Sequence, residues 1–251
     1  MTTNQIVETL AQDGVVMVEN QITDEQCNRA LAGIEWAMKN KTGLYEFHRQ
    51  RTYEWFKEHP IFVELIEHPL VIEVCEAMFG EDYHLICAEV TRNQKDNHYL
   101  PGTKKLHQDT CFFPRQPELA DDIFNQMYGF TAQWACLDIT PEIGPTAFMT
   151  GKHQSRQTFT NKDLNSGNAF TNFFAKGSLI LYDHRTWHCS ADNHTETPRD
   201  LPQNCYARFE VDKVQIKTPM PDETEEYILC KELMDVASDE IKKLLQPIGI
   251  P

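Results

Sequence analysis

Residues 177–190 read GSLILYDHRTWHCS, an apolar run opened by a glycine and closed by a polar end that carries His184 and His188. Aliphatic and aromatic residues bounded by Gly177 suit a strand buried on both faces. The two histidines share parity on it, so a continuous strand would point both side chains to one face. Outward from this stretch, EDYHLICAEVTRN (81–93), KKLHQD (104–109), YGFTAQWACLDI (128–139), GPTAFMTG (144–151) and NCYARFEV (204–211) are further apolar or alternating runs, separated by Gly, Pro, Asn and Asp clusters. No helical pattern alternates with them. The expected core is therefore an antiparallel barrel or sandwich, in a mainly β fold with flanking α-helices.

The helices sit at the ends. Before the strand-rich region, GVVMVEN (14–20) reads as a short strand and TDEQCNRALAGIEWAMKN (23–40) as a helix. The T-x-x-Q pattern opening that helix is a capping box, and Cys27, Ala30, Leu31, Ile34, Ala37 and Met38 fall on one stripe. LIEHPLVIEVCEAMFG (65–80) predicts a second helix ending at Gly80, and PDETEEYILCKELMDVASDEIKKLLQ (221–246) predicts a third. With 251 residues, 41% of them hydrophobic, the chain suits one domain with a large core. Its expected organisation is a single domain over 1–251, with a helical N-terminal part (1–80), a barrel core (about 82–212) and a helical C-terminal tail (221–246).

The formal charge of −15 argues against binding to nucleic-acid phosphates or anionic membrane, and favours a neutral or cationic small-molecule substrate. The eight cysteines show no C-x-x-C spacing and read as reduced thiols. The polar N-terminus has no signal-peptide pattern, and no apolar run approaches a membrane span. A soluble, cytoplasmic protein is expected.

His107-x-Asp109 in KKLHQD places two metal-binding side chains on one face of a strand. Such a pair is weak by itself in a chain with ten histidines. A further histidine from residues 177–190, either His188 or His184, would complete a two-histidine, one-carboxylate facial set on ferrous iron. That set leaves positions open for a co-substrate with two oxygen donors and for dioxygen. Arg199, in HCSADNHTETPR, offers parallel N–H donors for the far carboxylate of a dicarboxylic keto acid. Ser190 could add a hydroxyl, and Arg208 in YARFEV is a rival clamp. His194-x-Glu196 is a second His/carboxylate pair, in a Thr/Asn/Pro-rich loop that reads as solvated surface.

These residues resemble the phytanoyl-CoA dioxygenase family of iron(II)- and 2-oxoglutarate-dependent oxygenases. Leu106-His107-Gln108-Asp109, followed by Phe112, Phe113 and Pro114, looks like the family's LHQD segment. His188, Ser190, Asn193, Thr195 and Arg199 match its H-x-S-x-x-N-x-T-x-x-x-R segment, with the ligand histidine directly after Trp187. Trp134 in AQWACLD matches a co-substrate-contacting tryptophan, GPTAFMTGKH matches the G-x-L-x-x-x-P-G-x-H stretch, and DGVVMVENQITDEQ resembles the N-terminal strand and helix. The similarity runs over about residues 10–210.

The resemblance implies a double-stranded β-helix, a jelly-roll or cupin-like barrel. Its cofactors would be Fe(II), held by His107, Asp109 and His188, and 2-oxoglutarate, held by Arg199, Ser190 and Trp134, with O2 as the oxidant. Tyr182, His184, Phe112 and Phe113 are candidate pocket residues, with Arg115 and His98 reaching substrate from loops. The implied reaction is hydroxylation or desaturation of a C–H bond, because halogenating relatives lack the carboxylate that Asp109 supplies. Asn93-Gln94-Lys95-Asp96 departs from the family's N-K-P-P segment, and Thr150 stands where proline is usual. Pro202 lacks a ladder donor, which predicts a last strand starting after it. The alternatives are a noncatalytic jelly-roll that only binds a small ligand, and a cupin-like isomerase or hydrolase using zinc or manganese, which would carry a third histidine near the first pair.

Overall fold

The computed structural model describes residues 1–40, 49–50, 59–81, 83–95, 106–109, 126–163, 169–170, 173–208 and 239. β1 (Val15–Val18), β2 (Arg49–Gln50), β3 (Tyr83–Asn93), β4 (Gly129–Trp134), β7 (Leu179–Asp183) and β9 (Arg199–Arg208) form a six-stranded sheet in the order β1-β7-β4-β9-β3-β2. β5 (Thr146–Met149), β6 (Ala169–Phe170) and β8 (His188–Ser190) form a second sheet in the order β6-β5-β8. Every pairing is antiparallel. His107 joins the free edge of β8 through a single bridge to His188. Strands close in sequence, such as β7 and β8, belong to different sheets, so the chain steps from one wall to the other. This is the expected double-stranded β-helix of jelly-roll or cupin type.

Alternation along the strands separates two buried faces. Phe130, Ala132 and Trp134 of β4, with Leu179 and Leu181 of β7, pack under the helices in one cluster with Ile6, Leu10, Cys27, Ile34, Leu65 and Val74. Ile180 and Tyr182 face the other way and meet Phe148 of the second sheet. A register shift between Leu85 and Cys87 on β3 adds a residue, so Leu85 and Ala88 both reach the helix-covered cluster despite their spacing. At about 1.5–3 kcal/mol for each large apolar side chain buried, this cluster makes the six-stranded sheet a stiff wall for whatever the inner face carries.

Two helices begin at capping boxes. In α2 (Asp24–Asn40), Gln26 N donates to Thr23 Oγ1 at 3.2 Å and Thr23 N donates to Gln26 Oε1 at 2.9 Å. α1 (Thr3–Asp13) is an addition to the expected elements, although Thr2-x-x-Gln5 carries the same capping signature and closes the same reciprocal box. The helix expected over 65–80 is instead two, α3 (Ile61–Ile66) and α4 (Pro69–Phe79). The reason is Pro69. Its ring forces His68 to extended ψ 124, which ends one helix and starts the next with proline in the first turn.

Three strand expectations are also corrected: of the run expected over 104–109, the described residues 106–109 form only the single bridge at His107 and no strand. Residues 177–190 are not one strand: the polar stretch from Asp183 to Trp187 turns, with Thr186 N donating to Asp183 O at 2.8 Å, and so β7 and β8 lie in different sheets. The parity argument for His184 and His188 lapses with that turn. The last strand starts at Arg199 rather than after Pro202. Pro202 pairs with Val90 of β3 and lies just before Gln203, the first β9 residue with a β4 partner, so its missing donor is tolerated. Residues 209–211 and the expected tail 221–246, Asp239 excepted, lie outside the described residues.

α2 is tied to the sheet by charge. Arg92 of β3 donates from Nε and Nη2 to the two carboxylate oxygens of Asp200 on β9, both at 2.7 Å, and from Nη2 to Glu35 of α2. Burial pushes the Asp200 carboxyl up, and the guanidinium pulls it back only in part. Arg92→Leu leaves that carboxylate buried without its cation. Such a loss costs about 3–5 kcal/mol, which at this chain length lowers the melting temperature by roughly 6–20 °C. A melting curve that superimposes on the wild type would refute the pairing. Among the described residues no helix is long and apolar enough to cross a membrane, and Cys27, Cys75, Cys136, Cys189 and Cys205 are buried free thiols.

Candidate metal centre

β8 and the segment at His107 hold each other by a reciprocal pair: His107 N donates to His188 O at 3.0 Å, and His188 N donates to His107 O at 2.8 Å. That bridge sets the two imidazoles with ring centroids 4.4 Å apart. Asp109, two residues on, lies between them. Its Oδ1 is 3.6 Å from His107 Nε2 and its Oδ2 is 3.6 Å from His188 Nε2. One donor atom from each of His107, Asp109 and His188 lies within 4.8 Å of the other two.

The donor chemistry fits a metal ion. His188 Nδ1 lies 2.8 Å from the Thr186 carbonyl, which only accepts, so Nδ1 carries the proton and the Nε2 lone pair is left for coordination. Neighbouring donors on an octahedral ion with bonds of about 2.1 Å are about 3 Å apart, close to the spacing found here. Two imidazoles and one carboxylate on one side of an ion leave the opposite side for further oxygen ligands, and such a set fits an iron and 2-oxoglutarate centre. Tyr182 completes the wall: its hydroxyl donates to Asp109 Oδ2 at 3.5 Å, and its ring lies 4.9 Å from that of His188.

Arg199 is 1% exposed and faces the same interior. Its Nη2 donates to Ser190 Oγ at 3.1 Å, and its Nη1 donates to Gly144 O at 2.8 Å and to Thr146 Oγ1 at 3.4 Å. Ser190 is two residues beyond His188 on β8, so it stands on the same strand face about one repeat of 6.6 Å along, with the guanidinium bonded to its hydroxyl. Asn193 explains the rest of the motif. Its Oδ1 accepts from Thr195 N at 2.8 Å while its Nδ2 donates to Asn93 O at 2.9 Å, which ties the loop between His188 and Arg199 to β3. Arg208 pairs with Tyr83 at the other end of β9, about 30 Å away by strand rise, and is not part of this group.

Several residues outside the motif join the hydrogen-bond network around Arg199. Gln133 Nε2 donates to Gln203 Oε1 at 2.7 Å, and Thr146 Oγ1 donates to Gln133 Oε1 at 3.3 Å. Asn93 Nδ2 donates to the carbonyls of Gly144 at 3.3 Å and Ala191 at 2.9 Å. Gly144 has φ +77, and a Cβ there would meet Asn93 Nδ2 at 2.6 Å, which accounts for the glycine in GPTAFMTG. Strand parity is the signal that could have found Gln133, since it points opposite to Trp134.

Trp134 is not brought to this group. It lies in the helix-covered cluster, its ring 4.9 Å from that of His68. The His184 ring is buried against Gly129, and the residue serves the centre through its backbone: its carbonyl accepts from Asp109 N at 2.8 Å. His194 and Glu196 are exposed, as expected, with Glu196 paired to Lys95. Phe112, Phe113, Arg115 and His98 lie outside the described residues.

Buried histidines set a pH dependence, His68 and His153 among them and His184 in the same direction. Burial pushes the imidazoles of His68 and His153 below the ordinary value of 6.5. The folded chain therefore holds both neutral where the unfolded chain takes up protons. Stability is complete above 6.5 and falls as pH drops below it, by up to roughly 1.4 kcal/mol per pH unit for each group. Denaturant midpoints that stay level from about pH 7.5 to about pH 5 would contradict this.

The sequence profile of the phytanoyl-CoA dioxygenase family matches residues 10–201. Dioxygenase aneA of Aspergillus aculeatus is 24% identical over 211 residues, which cover 76% of this chain and 67% of that protein. Among solved structures, the non-heme alpha ketoglutarate dependent epimerase SnoN from nogalamycin biosynthesis superimposes with a TM-score of 0.64 at 18% identity, covering 82% of this chain and 80% of that one. HygX from Streptomyces hygroscopicus, solved with nickel and 2-oxoglutarate bound, gives 0.63 at 14% identity over 84% and 88% of the two chains. The carbocyclase SnoK, also from nogalamycin biosynthesis, gives 0.61 at 16% identity over 83% and 86%. At these identities the structural likeness speaks for a shared fold, while the profile match spans most of the sequence. The chain therefore belongs to the phytanoyl-CoA dioxygenase family.

Proposed function

We propose that this protein is an iron(II)- and 2-oxoglutarate-dependent oxygenase that hydroxylates, or desaturates, a C–H bond of a small molecule. The observation that carries the reading is the convergence of His107, Asp109 and His188, with Arg199 bonded to Ser190, two residues beyond His188. Family membership and the fold support an oxygenase-type enzyme of this cofactor class; the choice of hydroxylation rests on Asp109. We extend the same reading to the whole chain as a single cytoplasmic domain over 1–251.

His107, Asp109 and His188 would hold the iron, which with bound 2-oxoglutarate supplies oxidising power by coupling co-substrate decarboxylation to the use of dioxygen. The chain's own part is placement. Thr186 fixes the His188 tautomer, and Tyr182 steadies the Asp109 carboxylate. Arg199 and Ser190 would grip the distal carboxylate of 2-oxoglutarate and so orient its keto acid end toward the metal side chains. His107, whose side chain is 36% exposed, marks the open side from which substrate would approach. The net charge of −15 favours a neutral or cationic substrate over a polyanion.

The test is a panel of amines, amino acids, phosphonates and polycyclic natural-product intermediates offered to Fe(II)-loaded protein with 2-oxoglutarate. One or more should raise oxygen uptake and succinate release together, with the product heavier by one oxygen or lighter by two hydrogens. An unchanged elemental composition, as in an epimerisation, would replace the hydroxylase assignment while keeping the cofactor reading. Oxygen-independent turnover with zinc or manganese would overturn both.

A further inference from the structure

Three consecutive peptide carbonyls hold the pieces of chain that carry the candidate ligands. Asp109 N donates to His184 O at 2.8 Å, Gln108 Nε2 donates to Arg185 O, and His188 Nδ1 donates to Thr186 O at 2.8 Å. The turn that presents them is tied in its own right. The Asp183 carboxylate accepts from Arg185 N at 2.8 Å, Arg185 Nε at 3.0 Å and Arg185 Nη2 at 2.5 Å. Thr186 Oγ1 donates to Gly14 O at 2.7 Å, and Asp183 N donates to the same carbonyl at 2.9 Å. Gly14 sits against this turn so closely that a Cβ there would come within 2.5 Å of Thr186 Oγ1.

Asp183 and Arg185 are 0% and 7% exposed. An ion pair so buried loses hydration that apolar residues of the same size would not, so stability alone does not account for it. We propose that the Asp183–Arg185 ion pair is a positioning device for the metal centre, locking the turn so that its carbonyls hold Asp109 and His188 in their coordinating arrangement before a metal binds. The inference rests on His107, Asp109 and His188 being that centre. Neither charged group is a ligand, and both act through backbone oxygens. A metal ligand held by such an outer partner commonly owes it one to two orders of magnitude in affinity.

The experiment titrates Co(II) alone into metal-free protein, following the visible absorption bands that report its coordination geometry. In the double variant Asp183→Asn, Arg185→Met the buried charges leave together. The introduced amide oxygen still accepts from the backbone N–H at position 185, so the fold is expected to survive. Its Co(II) affinity should fall roughly 10- to 100-fold, with altered bands. Gln108→Ala breaks a single tie at a half-buried position and should lower affinity by about tenfold, with an unchanged melting temperature. A folded double variant that binds Co(II) within about twofold of wild type overturns the proposal. If the double variant does not fold, Gln108→Ala decides, and wild-type affinity there overturns it. Wild-type protein that takes up no Co(II) instead defeats the metal centre itself, and the positioning role with it.

Discussion

Substrate-dependent succinate release should vanish when Asp109 or His188 is replaced by alanine, in protein reconstituted with Fe(II) under anaerobic conditions before oxygen is admitted. The two losses have different causes. Asp109 is the only carboxylate of the group and stands 3.6 Å from an imidazole nitrogen on each side, so its removal takes away both the negative charge and the donor that completes the face. His188 presents a lone pair whose direction is fixed by the Thr186 carbonyl, and no other imidazole among the described residues joins the group in its place. Neither change should unfold the chain. Asp109 has 20% of its side chain exposed, and alanine at 188 leaves the backbone bridge to His107 intact. Matched melting curves therefore separate loss of metal from loss of structure. Turnover retained in both variants would remove the centre from this place in the fold.

Arg199→Gln should raise the 2-oxoglutarate concentration needed for half-maximal rate by roughly 30-fold or more, while the rate at saturation changes far less. Glutamine can still donate toward Ser190 or Gly144, so the interior stays hydrogen-bonded, but it brings neither the charge nor the two parallel N–H groups that match a carboxylate. A group that holds the remote end of a co-substrate contributes equally before and during reaction, which is why the effect falls on KM. Steady-state kinetics at varied 2-oxoglutarate measure it. An unchanged requirement would remove Arg199 from co-substrate binding, and Arg208, at the far end of the same strand, stands too distant to inherit the role.

The strand-rich core and the capped α2 were legible in local sequence because each rests on short-range rules. Alternation marks which residues of β4 and β7 are buried, and T-x-x-Q closes a cap over four residues. Where local rules competed, the sequence misled. Apolar periodicity over 65–80 hid the break that Pro69 imposes. The apolar opening of 177–190 hid the turn that the Asp183 carboxylate closes, and Pro202 argued against a strand that β3 supports.

By itself, then, the sequence determined the class of fold from its strand and helix patterns, while the resemblance named the candidate donors and an arginine suited to a carboxylate. Only the tertiary structure decided that the His184 ring packs against Gly129 while its carbonyl meets Asp109 N, and that three carbonyls of one turn hold the pieces that carry the candidate ligands. The physical reason is that each of those choices depends on where the chain crosses from one sheet to the other. That crossing is set by hydrogen bonds and an ion pair within the turn together with its contact to Gly14, 172 residues before Thr186 in the chain.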